Sequence, residues 1–495
     1  MTTFNIIDFG AVADGQTLCT KAFAAAVSAG TAAGGGTIYV PAGNYLTGPI
    51  HLQSNLTLNL DAGARLLFSR DSAVYPIIVS RWEGVERPVY SPLIYGVNLV
   101  NVALTGQGVI DGQGAVWWDR QRQNTLEYPR PRMVGFEYCR NVLIEGLTFT
   151  NSPAWTLHPI GCENFTVNQV TICNPADSSN TDGINPESCR NVHIANCHVD
   201  VGDDCIALKS GAEKCHAKIA CENITITNCT MGHGHGGVVI GSEMSGGVRN
   251  VVISNCVFEG TDRGIRIKSR RGRGGVVEDI RVNNMIMKKV ITPFALNEYY
   301  HCGPGGKEPA VWDKRPHPVD HTTPVLRRIH FSNITAREVS ATAGFLYGLP
   351  EMPITDVSFA NVTVQLAVSA APGMPDMMCH LEPFLQQGFF GCNLNNIFFN
   401  NVTVGGPAGP AFQIENTSNI EFSHCFAAQV PKEKPVIRLQ DVDRAVVAVA
   451  WPASDRQTYL EVRGSQSRGI TITGRITPPQ IRLAEEVEPA TIITG

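Results

Sequence analysis

Three aspartates fall close together in NTDGINPESCRNVHIANCHVDVGDDCIALKSG, residues 180–211. Asp182 stands in Asn-Thr-Asp-Gly, and Asp203 and Asp204 stand in Gly-Asp-Asp-Cys. Carboxylates held near one another cannot all ionise at their usual pH, so one keeps its proton while another stays charged. That split supplies a general acid and a general base, the pair that glycoside hydrolysis requires. Taken alone, Asp182 reads as an Asp-Gly turn. Asp203 and Asp204 read differently, because the apolar run Cys205-Ile206-Ala207-Leu208 follows them directly. An acidic pair beside a buried strand is costly unless it has work to do.

Two further motifs follow in chain order. GHGHGGVVIGSE, residues 232–243, offers His233 and His235, and RGIRIKS, residues 263–269, offers Arg266 and Lys268. The basic pair alternates with Ile265 and Ile267, so both project from the same side of one strand. A lone histidine reads as structure and a lone basic strand as a solvated face. Together the motifs give an acid, an acid pair, an imidazole and two cations, a set suited to a negatively charged sugar.

These residues need a scaffold that brings distant segments together at a fixed spacing, and the sequence repeats visibly. CRNVLIEGLTFTNS begins at 139, CENFTVNQVTICNP at 162, CRNVHIANCHVDVG at 189, CENITITNCTMGHG at 221 and VRNVVISNCVFEGT at 248. Weaker copies begin at 277, 326, 354, 394 and 417, with an earlier relative at 99. Each copy reads as strand, Asn or Gly turn, strand. Repeats of this length whose units cannot bury their own apolar faces stack into solenoids. The expected fold is all-β, a single-stranded right-handed parallel β-helix. An Ala-rich helix over 18–33 caps its N-terminal end within a cap region of about 1–45. Coils or a tail occupy about 430–495, and no linker splits the single domain of 1–495.

Adjacent coils stack at roughly 4.8 Å, so Asp182 and the Asp203–Asp204 pair are expected on neighbouring rungs of one face. Cys139, Cys162, Cys189 and Cys221 share one repeat position, and Cys197, Cys229 and Cys256 share another. They read as an internal ladder of small apolar side chains; zinc ligation is the alternative. Inserts at 70–95, 113–138, 300–325 and 367–393 interrupt the repeat and tend to gather on the binding face. Trp117, Trp118 and Trp312 in them read either as sugar-stacking platforms or as wall packing.

Composition excludes several classes. The 495 residues carry a net charge of −5 and only 17% charged residues, which does not suggest nucleic acid as a partner. The basic loop SRRGRGG lacks the interleaved aromatics of single-strand binding. No stretch has transmembrane character, so no membrane partner is expected. The 15 cysteines do not form the framework of a small secreted module. With no leader segment visible, a cytoplasmic location is expected.

The motifs NTDG, GDDC, GHG with the following IGSE, and RIK, in this order, resemble the polygalacturonase family of glycoside hydrolases, family 28. The resemblance runs from DFGAVADG near the start to at least residue 430. RWEGVERPVYSPLIY and HGGVVIGSEMSGG are similar to the bacterial exo-acting branch. The resemblance implies hydrolysis of α-1,4-galacturonosyl links with inversion. Asp203 would be the general acid, Asp182 and Asp204 would hold and deprotonate the water, and His235 would tune the acid. Arg266, Lys268, Tyr300 and Asn180 would bind the substrate, with Tyr299 the adjacent alternative to Tyr300. No cofactor or metal is implied, and the partner is a pectic oligosaccharide or polysaccharide. A rhamnogalacturonan or xylogalacturonan substrate, a calcium-dependent pectate lyase and a non-catalytic polysaccharide-binding β-helix are the competing readings. Oligomeric state is not readable from the sequence.

Overall fold

The computed structural model describes residues 2–303, 305–449, 457–474 and 480–494. The chain forms two compact units, Met1–Val251 and Val252–Gly495, each built of right-handed parallel β-helix coils.

In the first unit the repeats stack in register. Val142 lies opposite Phe165, Phe165 opposite Val192, and Val192 opposite Ile224. Side chains alternate across a strand, so both apolar residues of each N-V-x-I phrase point inward and are buried. Each such side chain contributes about 1.5–3 kcal/mol when fully buried, which gives every coil a reason to sit on its neighbour.

The asparagines that open each N-V-x-I phrase tie one coil to the next. Asn141, Asn164, Asn191, Asn223 and Asn250 adopt left-handed backbone with φ of 56–59°, a conformation that asparagine tolerates better than other side chains with a Cβ. Each donates its amide to the Oδ1 of the equivalent residue one coil back, starting at Asn101, over 2.9–3.1 Å.

The cysteine ladder forms as expected. Cys139, Cys162, Cys189 and Cys221 are buried free thiols. Those of Cys162, Cys189 and Cys221 donate to the Phe136, Pro159 and Pro186 carbonyls of the preceding coil. Among the described residues no cysteine joins a group of three potential metal ligands.

The helix expected over 18–33 spans Thr20–Ala32 and buries Phe23, Ala26 and Val27. Within the insert at 70–95, Ile77–Trp82 and Val85–Tyr90 form an antiparallel hairpin. The insert at 113–138 holds a helix, Ala115–Arg122. Trp117 is buried edge-on to Tyr75 and Tyr90, and Trp118 donates to the Ser152 carbonyl. Both therefore pack the wall and offer no sugar platform.

The second unit has longer strands, among them Val276–Lys288, Val325–Val339, Ile354–Leu366 and Gln387–Gly405, again parallel. Phe331, Phe359, Phe399 and Phe422 stack along its core at 4.8–5.3 Å with planes within 10°. Trp312 lies in the short helix Pro309–Trp312, against the His380 ring. Of the coils expected after about 430, residues 450–456, 475–479 and 495 lie outside the described residues. Among the described residues no helix is long and apolar enough to cross a membrane.

The ladder separates two contributions at one position. Asn191→Ala removes two amide contacts and leaves a Cβ in left-handed backbone, an expected loss of about 2–4 kcal/mol; Asn191→Gly removes the contacts alone, about 1–3 kcal/mol. Urea unfolding followed by circular dichroism distinguishes them, and equal losses would show that the backbone conformation costs nothing.

Candidate active site

Three consecutive coils assemble the acidic site of the first unit. Ile184 bridges Leu157 on one side and Ile206 on the other, and the Gly183 amide donates to the Asp204 carbonyl at 3.0 Å. Asp204 in turn lies opposite Gly236, and the His235 amide donates to the Asp203 carbonyl at 3.0 Å. Asp182, the pair Asp203–Asp204, and His235 therefore occupy successive rungs. Gly234, at φ 132°, sits where a Cβ would fall 2.5 Å from the Asp203 carbonyl oxygen, so the glycine before His235 is required for this approach.

One carboxylate oxygen from each of Asp182, Asp203 and Asp204 lies within 4.8 Å of the others. Among the described residues this is also the group whose spacing would suit a cation. Asp182 and Asp204 are buried, whereas the Asp203 side chain is 19% exposed. His235 Nδ1 stands 3.3 Å from Asp203 Oδ1, and its ring is half-exposed. Asp203 Oδ1 also accepts from the Asp204 amide at 2.9 Å.

Asp182 is strongly perturbed. Its Oδ2 accepts from Asn185 at 2.9 Å and lies 4.0 Å from Lys209 Nζ, while its Oδ1 is buried without a hydrogen-bond partner. Burial first, then the Asp203 charge, pushes its pKa well above the usual carboxylate range; Lys209 and Asn185 oppose this. At 4 Å and an effective dielectric near 20, a pair of unit charges is worth about 4 kcal/mol. Lys209 thus offsets roughly one neighbouring carboxylate, and the second carboxylate and the burial prevail.

The cations around the acids were not visible as motifs. Lys209 directly follows the strand Asp204–Leu208, and its ammonium meets Glu243 at 2.9 Å and the Trp155 ring face at 4.7 Å. Glu243, Asp182 and Asp204 hold Lys209 charged against its burial. Arg130 donates to the Pro153 and Ser179 carbonyls and, at 2.8 Å, to Asn180 Oδ1. Burial lowers its pKa to about 10 even though Asp182, Glu83 and Asp203 attract its charge. Asn180, expected to touch substrate, is thus held by Arg130. Arg130 lies in an insert with no period, and Lys209 looked like the ordinary end of a strand.

The hairpin Ile77–Tyr90 reaches this site. Trp82 stacks on Trp155 at 5.5 Å and 12°. The next two residues form the tip, and the Gly84 carbonyl accepts from the Ala212 amide at 3.0 Å. A Cβ at Gly84 would meet that nitrogen at 2.4 Å and Glu243 Cγ at 2.9 Å. Beside the tip, Arg81 donates to Glu187 at 3.3 Å and Ser188 at 3.1 Å. His158 Nε2 lies 2.8 Å from the second Glu187 oxygen, and its Nδ1 lies 2.8 Å from Arg132 Nη1. A guanidinium can only donate, so Nδ1 accepts and Nε2 carries the proton. Burial keeps this imidazole neutral, with its pKa pulled down to about 4.

In the second unit, Arg266 and Lys268 lie on the strand Arg263–Lys268, buried throughout. The Arg266 guanidinium carbon and Lys268 Nζ stand 5.5 and 5.3 Å from the Tyr300 ring centre. Tyr299 turns the other way, into a core cluster with Phe345, Leu349 and Met378. Sequence reasoning missed Asp376, which receives Arg266 at 2.5 and 2.8 Å.

The sequence model of glycosyl hydrolases family 28 matches residues 31–372. A probable polygalacturonase of Vitis vinifera is 39% identical over 378 residues, covering 74% of this chain and 75% of that protein. An endo-polygalacturonase of Pectobacterium carotovorum subsp. carotovorum is 30% identical over 283 residues, 54% of this chain and 68% of that one. Among solved structures, a hyperthermoactive exopolygalacturonase from Thermotoga maritima superposes with a TM-score of 0.66 at 32% identity, covering 74% of this chain and 87% of that one. The chain belongs to family 28 of the glycosyl hydrolases and is a glycoside hydrolase.

Proposed function

We propose that the enzyme hydrolyses α-1,4-galacturonosyl links of pectin-derived galacturonates, removing residues from a chain end with inversion. The observation that carries this reading is the set of three carboxylates on successive rungs, two buried and one partly exposed, with an imidazole on the exposed one. Asp203, facing solvent and touched by His235, protonates the glycosidic oxygen as the bond to the anomeric carbon breaks. Asp182 and Asp204 hold a water on the opposite face. Its oxygen bonds to the anomeric carbon and its proton passes to one of these two carboxylates, so the new hemiacetal has the inverted configuration. The protons of so close a group belong to the cluster as a whole. Burial favours one on Asp182 at rest, and only Asp203 is open enough to deliver one.

Motif order supports Arg266 and Lys268 as the ligands of the galacturonate carboxylate, with Tyr300 beside them. The hairpin tip held against Ala212 and Glu243 beside the acids supports end-wise cleavage, as an insert suited to close one end of a groove. The likeness to the Thermotoga maritima exopolygalacturonase supports the same reading. The free thiols support work in the reducing cytoplasm on oligomers taken up by the cell.

The test is a time course on tri- and tetragalacturonate, with products resolved by size and anomer. Monomer from the earliest point, as the inverted anomer, is expected. A ladder of intermediate sizes would exclude end-wise action, and absence of product would redirect the search to rhamnose- or xylose-bearing pectic fragments. Asp203→Asn should lower kcat by about 10²–10⁴-fold with binding retained. Gly84→Val should displace the hairpin tip and release internal fragments from long galacturonate; unchanged monomer release would remove the hairpin from the end-wise reading.

Asp182→Asn separates function from stability. The folded pKa of Asp182 lies above its unfolded value of about 3.9. The native state therefore holds a proton that the unfolded chain gives up, and stability falls as pH rises from the unfolded toward the folded value. Asparagine abolishes that loss. Turnover should drop at least about 10²-fold, while the unfolding midpoint at pH 7 equals or exceeds that of the wild type. A lower midpoint at pH 7 would show that the charged form is the stable one.

A further inference from the structure

We infer that Asp376 is a positioning residue that sets the Arg266 guanidinium for substrate binding, an inference resting on the reading that the strand Arg263–Lys268 receives the uronate carboxylate. Asp376 lies in the insert at 367–393, beyond residues 31–372 matched by the family. Its side chain is fully buried. One oxygen accepts both Nε and Nη2 of Arg266, at 2.8 and 2.5 Å, and the other accepts the Asn297 amide at 3.0 Å.

The segment around Asp376 is strapped to the same strands. Arg263 donates to the Met374 carbonyl at 2.8 Å and the Pro375 carbonyl at 3.2 Å, and stands 3.9 Å from Asp376. Asn297 also reaches the Met377 carbonyl, and Tyr300 bridges Met378 in antiparallel fashion. The insert thus reaches the strand of Arg266 and Lys268 and the tyrosine whose ring covers both.

The chemistry explains the arrangement. Arginine has four side-chain torsions, and a guanidinium recognises a carboxylate only when its plane is correctly set. A buried carboxylate on the Nε–Nη2 edge fixes that plane. Arg266 and Arg263 in turn keep Asp376 ionised despite its burial. Asp376 offsets the Arg266 charge, so what Arg266 contributes is oriented donors, and a substrate carboxylate is read there by direction.

The test uses the full chain and trigalacturonate. Asp376→Asn should raise KM about 10-fold or more, with kcat within about 3-fold, because misorientation weakens binding more than chemistry. Asp376→Glu, which keeps the charge, should recover part of that loss. In an Arg266→Gln background, Asp376→Asn should add nothing further, since its effect passes through Arg266. Asn297→Ala, which keeps both charges, should raise KM in the same direction by a smaller factor and decides the matter if Asp376→Asn does not fold. Unchanged KM in folded Asp376→Asn, or in Asn297→Ala where that variant decides, would overturn the inference and leave the proposed reaction standing. A full KM loss persisting in the Arg266→Gln background would also overturn it. Absence of turnover by the wild type would instead remove the proposed reaction, and this inference with it.

Discussion

Repulsion among Asp182, Asp203 and Asp204 is the interaction around which the rest of the first unit is organised. Three carboxylate oxygens within 4.8 Å of one another would move apart on a flexible loop. Here each belongs to a coil whose backbone is bonded to the next, with Gly183 to Asp204 and His235 to Asp203. The spacing is set by the strand ladder and not by the acids. Burial of the valines, isoleucines and phenylalanines below them, and the asparagine ladder along one edge, hold that spacing against the charge.

Five acids meet two cations around this centre. Asp182, Asp203, Asp204, Glu243 and Glu83 lie about Lys209 and Arg130. Were every group ionised, the cluster would be left negative in a place partly closed to water. A proton retained on the cluster is the least costly correction, and Asp182 is where burial favours it. The features that make the site unstable as a set of free charges therefore load it with an acid. Lys209 stays useful because Glu243 and the Trp155 face hold its ammonium in place; without them it would turn to pair fully with Asp182 and quench it.

What the sequence showed followed from periodicity. The N-V-x-I phrase placed strands, the turn asparagines and the cysteine rungs, and the same count put Asp182 one rung from Asp204, as Ile184 opposite Ile206 shows. What it hid lay in segments with no period. Arg130, the hairpin tip at Gly84 and Asp376 reach their positions by folding back onto the coils, and no local pattern announces that. Trp117 and Trp118 looked equally suited to sugar or core, because a tryptophan's area serves either; Tyr75, Tyr90 and Ser152 decide it. Tyr299 and Tyr300 are neighbours on opposite sides of one chain, so only their partners, Arg266 and Lys268 for the Tyr300 ring and the Phe345 cluster for Tyr299, tell them apart. The alternation Arg266, Ile267, Lys268 correctly placed both cations on one side. It gave no sign that an insert buries that side as well.

Inserts in a repeating scaffold face a particular difficulty: every coil offers nearly the same surface, so apolar contact alone would hold an insert without choosing its seat. Both inserts that matter here dock through buried ionic contacts to single residues, Arg81 on Glu187 in one unit and Arg266 on Asp376 in the other. Such pairs add little net stability over hydrophobic replacements. Their geometry is directional, however, and a guanidinium displaced by one coil would lose its carboxylate altogether, leaving a buried charge uncompensated. That penalty is what selects one register among many similar ones. The division of labour follows: the repeat supplies the spacing, and the ionic anchors seat the inserts that depart from it.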